Sequence, residues 1–254
     1  MKNGQQNLLC AKGFNMMKII DAHTHIDYIT QNFQSNVVGC VCCATMEDDW
    51  TKIIDLIKFD NRIYGAFGVH PWFVDSGQSG FDKRLEDLLK TDANYMVGEI
   101  GLDKHKPDME KQISVFITQF NIAIKLHRVV CLHCVGAWDK ILHILKQYSQ
   151  DDLPIIIVHG FNENIDILTK LLQYKSIYFS LSQSCISARN NCIEQIPSNH
   201  ILVESDGKKD VLLSKIVDTI SNIKKDSKMA DIIYNNSQRV LKNEYITQDN
   251  FVVW

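Results

Sequence analysis

The sequence predicts an α/β protein, specifically a (β/α)8 (TIM) barrel, and three observations support this prediction. Eight short apolar runs alternate along the chain with segments whose apolar residues recur at helical spacing. The runs are rich in β-branched residues, which is typical of parallel strands buried on both faces. The length of 254 residues suits one such barrel, and no linker, repeat or low-complexity segment divides the chain. Residues 17–254 are therefore expected to form a single domain.

The eight apolar runs are expected to be consecutive parallel strands. They span residues 19–27, 37–45, 62–72, 95–103, 128–134, 154–160, 176–182 and 200–206. Helical spacing is clearest over 108–126, where Ile113, Phe116 and Phe120 share one face. Further helices are predicted over 49–60, 81–90, 137–148, 162–174, 211–223 and 229–241, with a short one near 188–195. Residues 27–36 are too few for a clear helix, and residues 244–254 are expected to form a flap on the barrel.

Composition excludes several classes of protein. Apolar residues make up 45% of the chain and charged residues 22%, which fits a globular protein with a substantial core. The net charge is −3, so no large basic field indicates tight, non-specific binding to nucleic acid, although a nuclease remains compatible with this charge. No window contains the roughly 18 apolar residues of a membrane span. No obligate protein partner is evident.

The eight cysteines occur without a secretory signal, so we expect a cytoplasmic protein whose thiols are reduced. Cys40, Cys42 and Cys43 are interpreted as small apolar residues of a strand rather than metal ligands. Cys131 and Cys134 would lie on opposite faces of their strand, a poor geometry for a redox pair or a chelate. Residues 1–16 are expected to be a disordered extension or to precede an alternative start.

Polar side chains that could hold a metal ion recur at the ends of the predicted strands. His23 and His25 close the first run, and side chains two residues apart on a strand point the same way. Alone, this pair is more often two polar residues at a strand exit than a metal site. The remaining candidates are His70, Glu99, His133, His159 and Asp206. Because a barrel gathers the C-terminal ends of its strands at one mouth, where active sites lie, these residues are expected to converge.

The residue types fit metal-assisted hydrolysis. Histidine supplies neutral nitrogen, and carboxylates supply oxygen and negative charge. One divalent ion needs three or four such ligands and keeps a position for water, whereas six would suffice for two ions that share a carboxylate and hold a hydroxide between them. Glu99 is the expected bridge, and Asp206 is expected both to bind metal and to accept a proton. Zn, Mn, Ni and Co suit imidazole ligands better than Mg does, so the identity of the metal stays open.

The order of these motifs resembles the TatD family of metal-dependent hydrolases, which are amidohydrolase-like barrels. The resemblance extends from about residue 17 to residue 241. The matching segments are Asp21-Ala22-His23-Thr24-His25-Ile26-Asp27, Gly68-Val69-His70-Pro71, Gly98-Glu99-Ile100-Gly101-Leu102-Asp103, Gln112 with Phe116 and Gln119, Leu132-His133, Val158-His159-Gly160-Phe161, Val203-Glu204-Ser205-Asp206 and Asn236-Ser237-Gln238-Arg239-Val240.

The resemblance implies a deoxyribonuclease that uses two divalent metal ions, usually an exonuclease, with DNA as its substrate. It implies that one ion is bound by His23, His25, Glu99 and Asp206, and the other by Glu99, His133 and His159. It also implies that His70 contacts the substrate phosphate.

Three departures from the family pattern keep two alternatives open. No arginine follows His133, Gly207-Lys208-Lys209 follows Asp206, and the first helix is short. Lys104, Lys208 or Lys209 would have to replace the arginine, and lysine is a point charge rather than a bidentate donor. One alternative is therefore an enzyme that cleaves a small ester, lactone or amide with the same metals. The other is a barrel that binds a partner without catalysis.

Overall fold

The computed structural model describes residues 17–29, 34–75, 79–188 and 192–245. These residues form eight parallel strands in the sequential order β1 to β8, as predicted. The strands are β1 Ile19–Thr24, β2 Val37–Cys43, β3 Ile63–Phe67, β4 Met96–Asp103, β5 Val130–Val135, β6 Ile156–Val158, β7 Ile177–Leu181 and β8 Ile201–Val203.

Helices follow the strands and cover the outside of the barrel. In the described ranges they are α1 Ile26–Ile29, α2 Asp48–Phe59, α3 Phe81–Leu89, α4 Met109–Leu126, α5 Trp138–Leu145, α6 Ile165–Leu171, α7 Gln183–Ser187, α8 Leu213–Lys224 and α9 Met229–Leu241. Short 3₁₀ helices span Pro71–Phe73, Ile193–Gln195 and Ser198–His200. None of these helices is both long and apolar enough to cross a membrane.

One local prediction is wrong. The short helix expected over 188–195 is replaced by α7, which ends at Ser187, and by the 3₁₀ turn Ile193–Gln195. Ser182 precedes α7 and is of a residue type that favours this position, although its side chain makes no capping hydrogen bond. Residues 27–36 are too few for a clear helix, and the described part of this range contains only the end of the single turn α1. The expected extension over 1–16 and most of the expected flap over 244–254 lie outside the described residues.

Strand alternation divides the core into two layers. One apolar cluster joins the outward faces of the strands to the helices and contains Cys40 and Cys42. The other contains the alternate strand residues, including Cys43 and Cys131, and fills the barrel interior. Cys134 packs against the outer cluster, so Cys131 and Cys134 lie on opposite faces, as predicted.

The barrel closes between β8 and β1 through the residues that follow β8. The Ser205 backbone N–H donates to Asp21 Oδ1 at 2.9 Å, and the Asp206 N–H donates to the His23 carbonyl at 3.1 Å. Asp21 is fully buried, and burial raises the pKa of its carboxyl to about 7. This closure places Asp206 beside His23, although the two residues are 183 positions apart (206 minus 23) in the chain.

Candidate metal centre

The Glu99 side chain occupies the centre of the barrel mouth, the C-terminal end of the strands. It rises from the middle of β4 and is almost completely buried. Its Oε2 atom lies 3.2 Å from His23 Nε2 and 3.7 Å from His25 Nε2. His23 belongs to β1, and His25 follows that strand directly. The pair therefore aims at one point, as their spacing predicted.

The other carboxylate oxygen of Glu99 faces three more imidazoles. Glu99 Oε1 lies 2.7 Å from His133 Nδ1, 3.2 Å from His70 Nε2 and 3.1 Å from His159 Nε2. His133 lies within β5, whereas His70 and His159 follow β3 and β6. One buried carboxylate thus has five histidines around it.

Asp206 completes the set of predicted residues. Its side chain is partly exposed and forms an ion pair with Lys208, whose Nζ donates to Asp206 Oδ2 at 2.9 Å. Ligand atoms of His23, His159 and Asp206 all lie within 4.8 Å of one another, and the same holds for His23, His25 and Glu99. The third such group is His70, Glu99 and His133. All seven residues selected from the sequence therefore converge, but the groups differ from those that the resemblance implied: His70 joins one, and His159 pairs with Asp206.

The electrostatics of the centre are dominated by Glu99. Burial alone would raise its pKa, but the surrounding imidazoles, His159, His23 and His70, hold it well below the usual range. Burial and the neighbouring His159 lower the pKa of His23, yet Glu99 raises it to about 10. Burial lowers the pKa of His25 and of His70. A buried carboxylate among imidazoles is an arrangement that a divalent cation neutralises, so the donor set fits a metal ion.

The hydrogen-bond partners of two histidines, on the side away from Glu99, set which ring nitrogen faces the centre. His25 Nδ1 lies 3.1 Å from the Cys43 carbonyl, and His159 Nδ1 lies 3.2 Å from Glu204 Oε1. Both partners only accept hydrogen bonds, so each Nδ1 carries the proton of the neutral ring and each Nε2 then offers a lone pair to the centre. A histidine that binds a metal through Nε2 requires this tautomer.

His70 has the opposite tautomer. Its Nδ1 accepts a hydrogen bond from the Trp72 backbone N–H at 3.2 Å, so Nε2 carries the proton of the neutral ring. That Nε2–H points at the centre as a donor rather than as a ligand. The geometry therefore suits a contact with an anionic oxygen.

Two carboxylates of the site were not selected from the sequence. Glu204 is fully buried, and its Oε1 accepts the Gly160 N–H at 2.8 Å as well as facing His159. Asp103 Oδ2 lies 3.6 Å from His133 Nε2, which has no hydrogen-bond partner among the described residues. The sequence offered a weak signal for Asp103 alone, which lies on the same strand as Glu99 and four residues after it.

Two glutamines on α4 hold the backbone beside His70 and at Asp103, the last residue of β4. Gln119 is fully buried, accepts the Val69 N–H at 2.7 Å and donates to the Val69 carbonyl at 3.1 Å. Gln112 does the same for Asp103, at 2.9 and 3.2 Å. Helix α4 therefore fixes the backbone of Val69, next to His70, and of Asp103, four residues after Glu99.

The three lysines considered as replacements for an arginine occupy different positions. Lys208 is paired with Asp206. The Lys104 side chain packs against Gly136. A Cβ added at position 136 would collide with this side chain and lie 2.8 Å from Lys104 Nζ. Lys209 is exposed. Lys104 is thus the lysine that fills the space beside the loop after His133.

Parallel barrels with imidazole and carboxylate ligands at this mouth form a broad class of metal-dependent hydrolases. The chain belongs to the TatD family, because the family model described as TatD related DNase matches residues 20–242. It is a metal-dependent hydrolase, as the sequence motifs predicted.

Two proteins named as nucleases resemble the chain at modest sequence identity. It is 27% identical over 214 residues to the 3'-5' RNA nuclease TATDN2 of Homo sapiens, a match that covers 74% of this chain but only 28% of that protein. It is 22% identical over 201 residues to the 3'-5' ssDNA/RNA exonuclease TatD of Escherichia coli (strain K12), covering 76% of each.

Solved structures show the same fold. The crystal structure of YjjV, a TatD homologue from Escherichia coli K12, superposes with a TM-score of 0.79 at 21% identity, covering 89% of this chain and 98% of that one. A TatD family hydrolase from Entamoeba histolytica superposes with a TM-score of 0.76 at 18% identity, covering 88% and 98%.

Proposed function

We propose that this chain is a deoxyribonuclease, acting as an exonuclease on single-stranded DNA by hydrolysis of phosphodiester bonds. The observation that supports this most directly is the buried carboxylate Glu99 with five imidazoles around it at the barrel mouth. Relatives that are named as nucleases of single-stranded DNA or RNA support the choice of bond. We also propose that residues 17–254 act as one domain in the cytoplasm, where the free thiols of the described cysteines would stay reduced.

Two divalent ions are proposed, drawn from Zn, Mn, Mg, Ni or Co. His23, His25, Glu99 and Asp206 would hold one, and Glu99, His133 and His159 would hold the other. Bound there, such ions activate water and neutralise the charge that develops at phosphorus. The tautomers of His25 and His159 support their role as ligands, since both direct Nε2 at Glu99 or its neighbours.

The protein side chains would perform the remaining steps. Asp206 accepts a proton from the attacking water, and its partly exposed carboxylate can pass that proton to solvent. His70 donates its Nε2–H to a non-bridging phosphate oxygen and so holds the phosphate in line. Lys208 Nζ donates to Asp206 Oδ2 at 2.9 Å and so helps to hold that carboxylate in place.

The test is metal-dependent cleavage of labelled single-stranded and double-stranded DNA by the purified protein and by Asp206→Asn. We expect the parent protein to release nucleotides from single strands, and Asp206→Asn to keep its fold and lose at least about 100-fold in kcat. If Asp206→Asn degrades DNA as the parent does, the role assigned to Asp206 is wrong.

A small ester, lactone or amide is the second candidate substrate, favoured by the absence of an arginine from the segment Cys134-Val135-Gly136 after His133. A parallel panel of small esters and amides separates the candidates. Turnover of these compounds together with intact DNA would contradict the nuclease proposal.

A further inference from the structure

Trp72 is a large aromatic side chain held in place at the edge of the metal centre. It is 52% exposed, and its indole Nε1–H donates to Asp103 Oδ2 at 2.7 Å. Its backbone N–H donates to His70, and the two rings meet edge to face at 5.3 Å between centroids. The 3₁₀ turn Pro71–Phe73 restricts the backbone at this point. An indole that is both fixed and exposed provides a preformed flat surface, because little conformational entropy is lost when a ligand stacks on it.

The position of Trp72 relates that surface to the chemistry. The His70 ring separates it from the centre, since His70 Nε2 lies 3.2 Å from Glu99 Oε1. A phosphate held by His70 would therefore place the adjoining nucleotide next to Trp72. Trp72 and the proposed phosphate contact share one short turn, so they move as a unit.

Two lysines follow Asp103, the residue that Trp72 contacts. Lys106 is half-buried, and its Nζ lies over the Trp72 ring at 4.1 Å from the centroid, so it covers one face of the indole. Lys104 is exposed and packs against Gly136. Among the described residues, neither Lys104 nor Lys106 belongs to an ion pair, unlike Lys111 and Lys208. Cations beside an aromatic surface are the combination that proteins use to bind single-stranded nucleic acid.

We propose that Trp72, Lys104 and Lys106 form a nucleotide subsite. The base next to the scissile phosphate stacks on the exposed part of Trp72, and the two ammonium groups contact the neighbouring backbone phosphates. This inference rests on the proposed nuclease function and specifies its substrate. Because every base has a stacking face and both lysines contact only the backbone, the subsite accepts any sequence but requires an unpaired strand end.

The experiment compares kcat/KM on a single-stranded oligonucleotide with kcat/KM on a matched strand whose terminal nucleotides are abasic. The variants are Trp72→Ala, Trp72→Phe and the control Phe59→Ala. Phe59 is 90% exposed at the C-terminal end of α2, so it lies at the barrel face opposite the mouth. Thermal denaturation of each variant checks that the fold is retained.

We expect Trp72→Ala to lower kcat/KM on the intact strand by roughly 5- to 150-fold, mainly through KM, which is the range for loss of one base–aromatic stack. On the abasic strand the loss should be several-fold smaller, Trp72→Phe should retain most of the activity, and Phe59→Ala should match the parent. An equal loss on both strands would show that Trp72 only supports His70 and Asp103, and would overturn the subsite. A parent protein that cleaves neither strand would overturn the proposed function and the subsite together.

Discussion

Glu204→Gln is the substitution that tests most sharply how the metal centre is supported. Glu204 is fully buried, and its Oε1 faces His159 Nδ1 at 3.2 Å and accepts the Gly160 N–H at 2.8 Å. Glutamine has the same shape and retains an oxygen acceptor, so the fold should persist. The negative charge that increases the basicity of the His159 ring is lost. We therefore expect Glu204→Gln to lower the affinity for a divalent metal ion by roughly 10- to 100-fold, or about 1.4–2.8 kcal/mol.

The assay is equilibrium competition for Zn²⁺ or Mn²⁺ between the protein and a metal-sensing chelator. The control is Glu244→Gln, the same change at an exposed residue after α9, which should bind metal as the parent does. Glu204→Ala should in addition leave the buried Gly160 N–H without its acceptor and lower the free energy of unfolding by about 1–3 kcal/mol. Parent-like metal affinity in a folded Glu204→Gln protein would refute the reasoning.

Three further outcomes follow from the same geometry. Asp206→Asn should keep the fold and lower kcat by roughly 100- to 10,000-fold, measured on single-stranded DNA, and a loss below about 10-fold would contradict its role in proton transfer. Gly101→Ala should lower the free energy of unfolding by about 3 kcal/mol or more in urea denaturation, because φ is 151° and a Cβ would collide with the His133 carbonyl. Gln119→Leu should lower the free energy of unfolding by about 2–6 kcal/mol, since the buried N–H and carbonyl of Val69 both lose their partner. A loss below about 1 kcal/mol would show that water replaces the glutamine.

The barrel, and the convergence of the seven candidate residues at its mouth, could be predicted from the sequence because strand alternation and barrel geometry are sufficient. Strand alternation places His23 and His25 on one face, and a parallel barrel gathers all strand ends at one mouth. The position of Glu99 in a buried run indicated a partnered carboxylate, and the structure surrounds it with imidazoles. None of these arguments needs distances between strands.

The supporting contacts could not be predicted because they depend on which ring nitrogen faces which neighbour. Glu204 and Asp103 become partners of His159 and His133 only once the barrel closes and the rings are oriented. His70 was assigned to the phosphate from resemblance alone, whereas its tautomer depends on a hydrogen bond from the backbone of Trp72. Such contacts are specified by tertiary geometry rather than by spacing.

The metal titration of nuclease activity tests the central proposal most directly. The protein is stripped with a chelator, and the release of nucleotides from single-stranded DNA is measured as Mn²⁺, Zn²⁺ or Mg²⁺ is added back. We predict no activity in the stripped protein, restoration by at least one of these ions, and saturation near two ions per chain, since seven candidate residues converge at the mouth. Full activity in the stripped protein with chelator present, or no cleavage of DNA at saturating metal, would contradict the account.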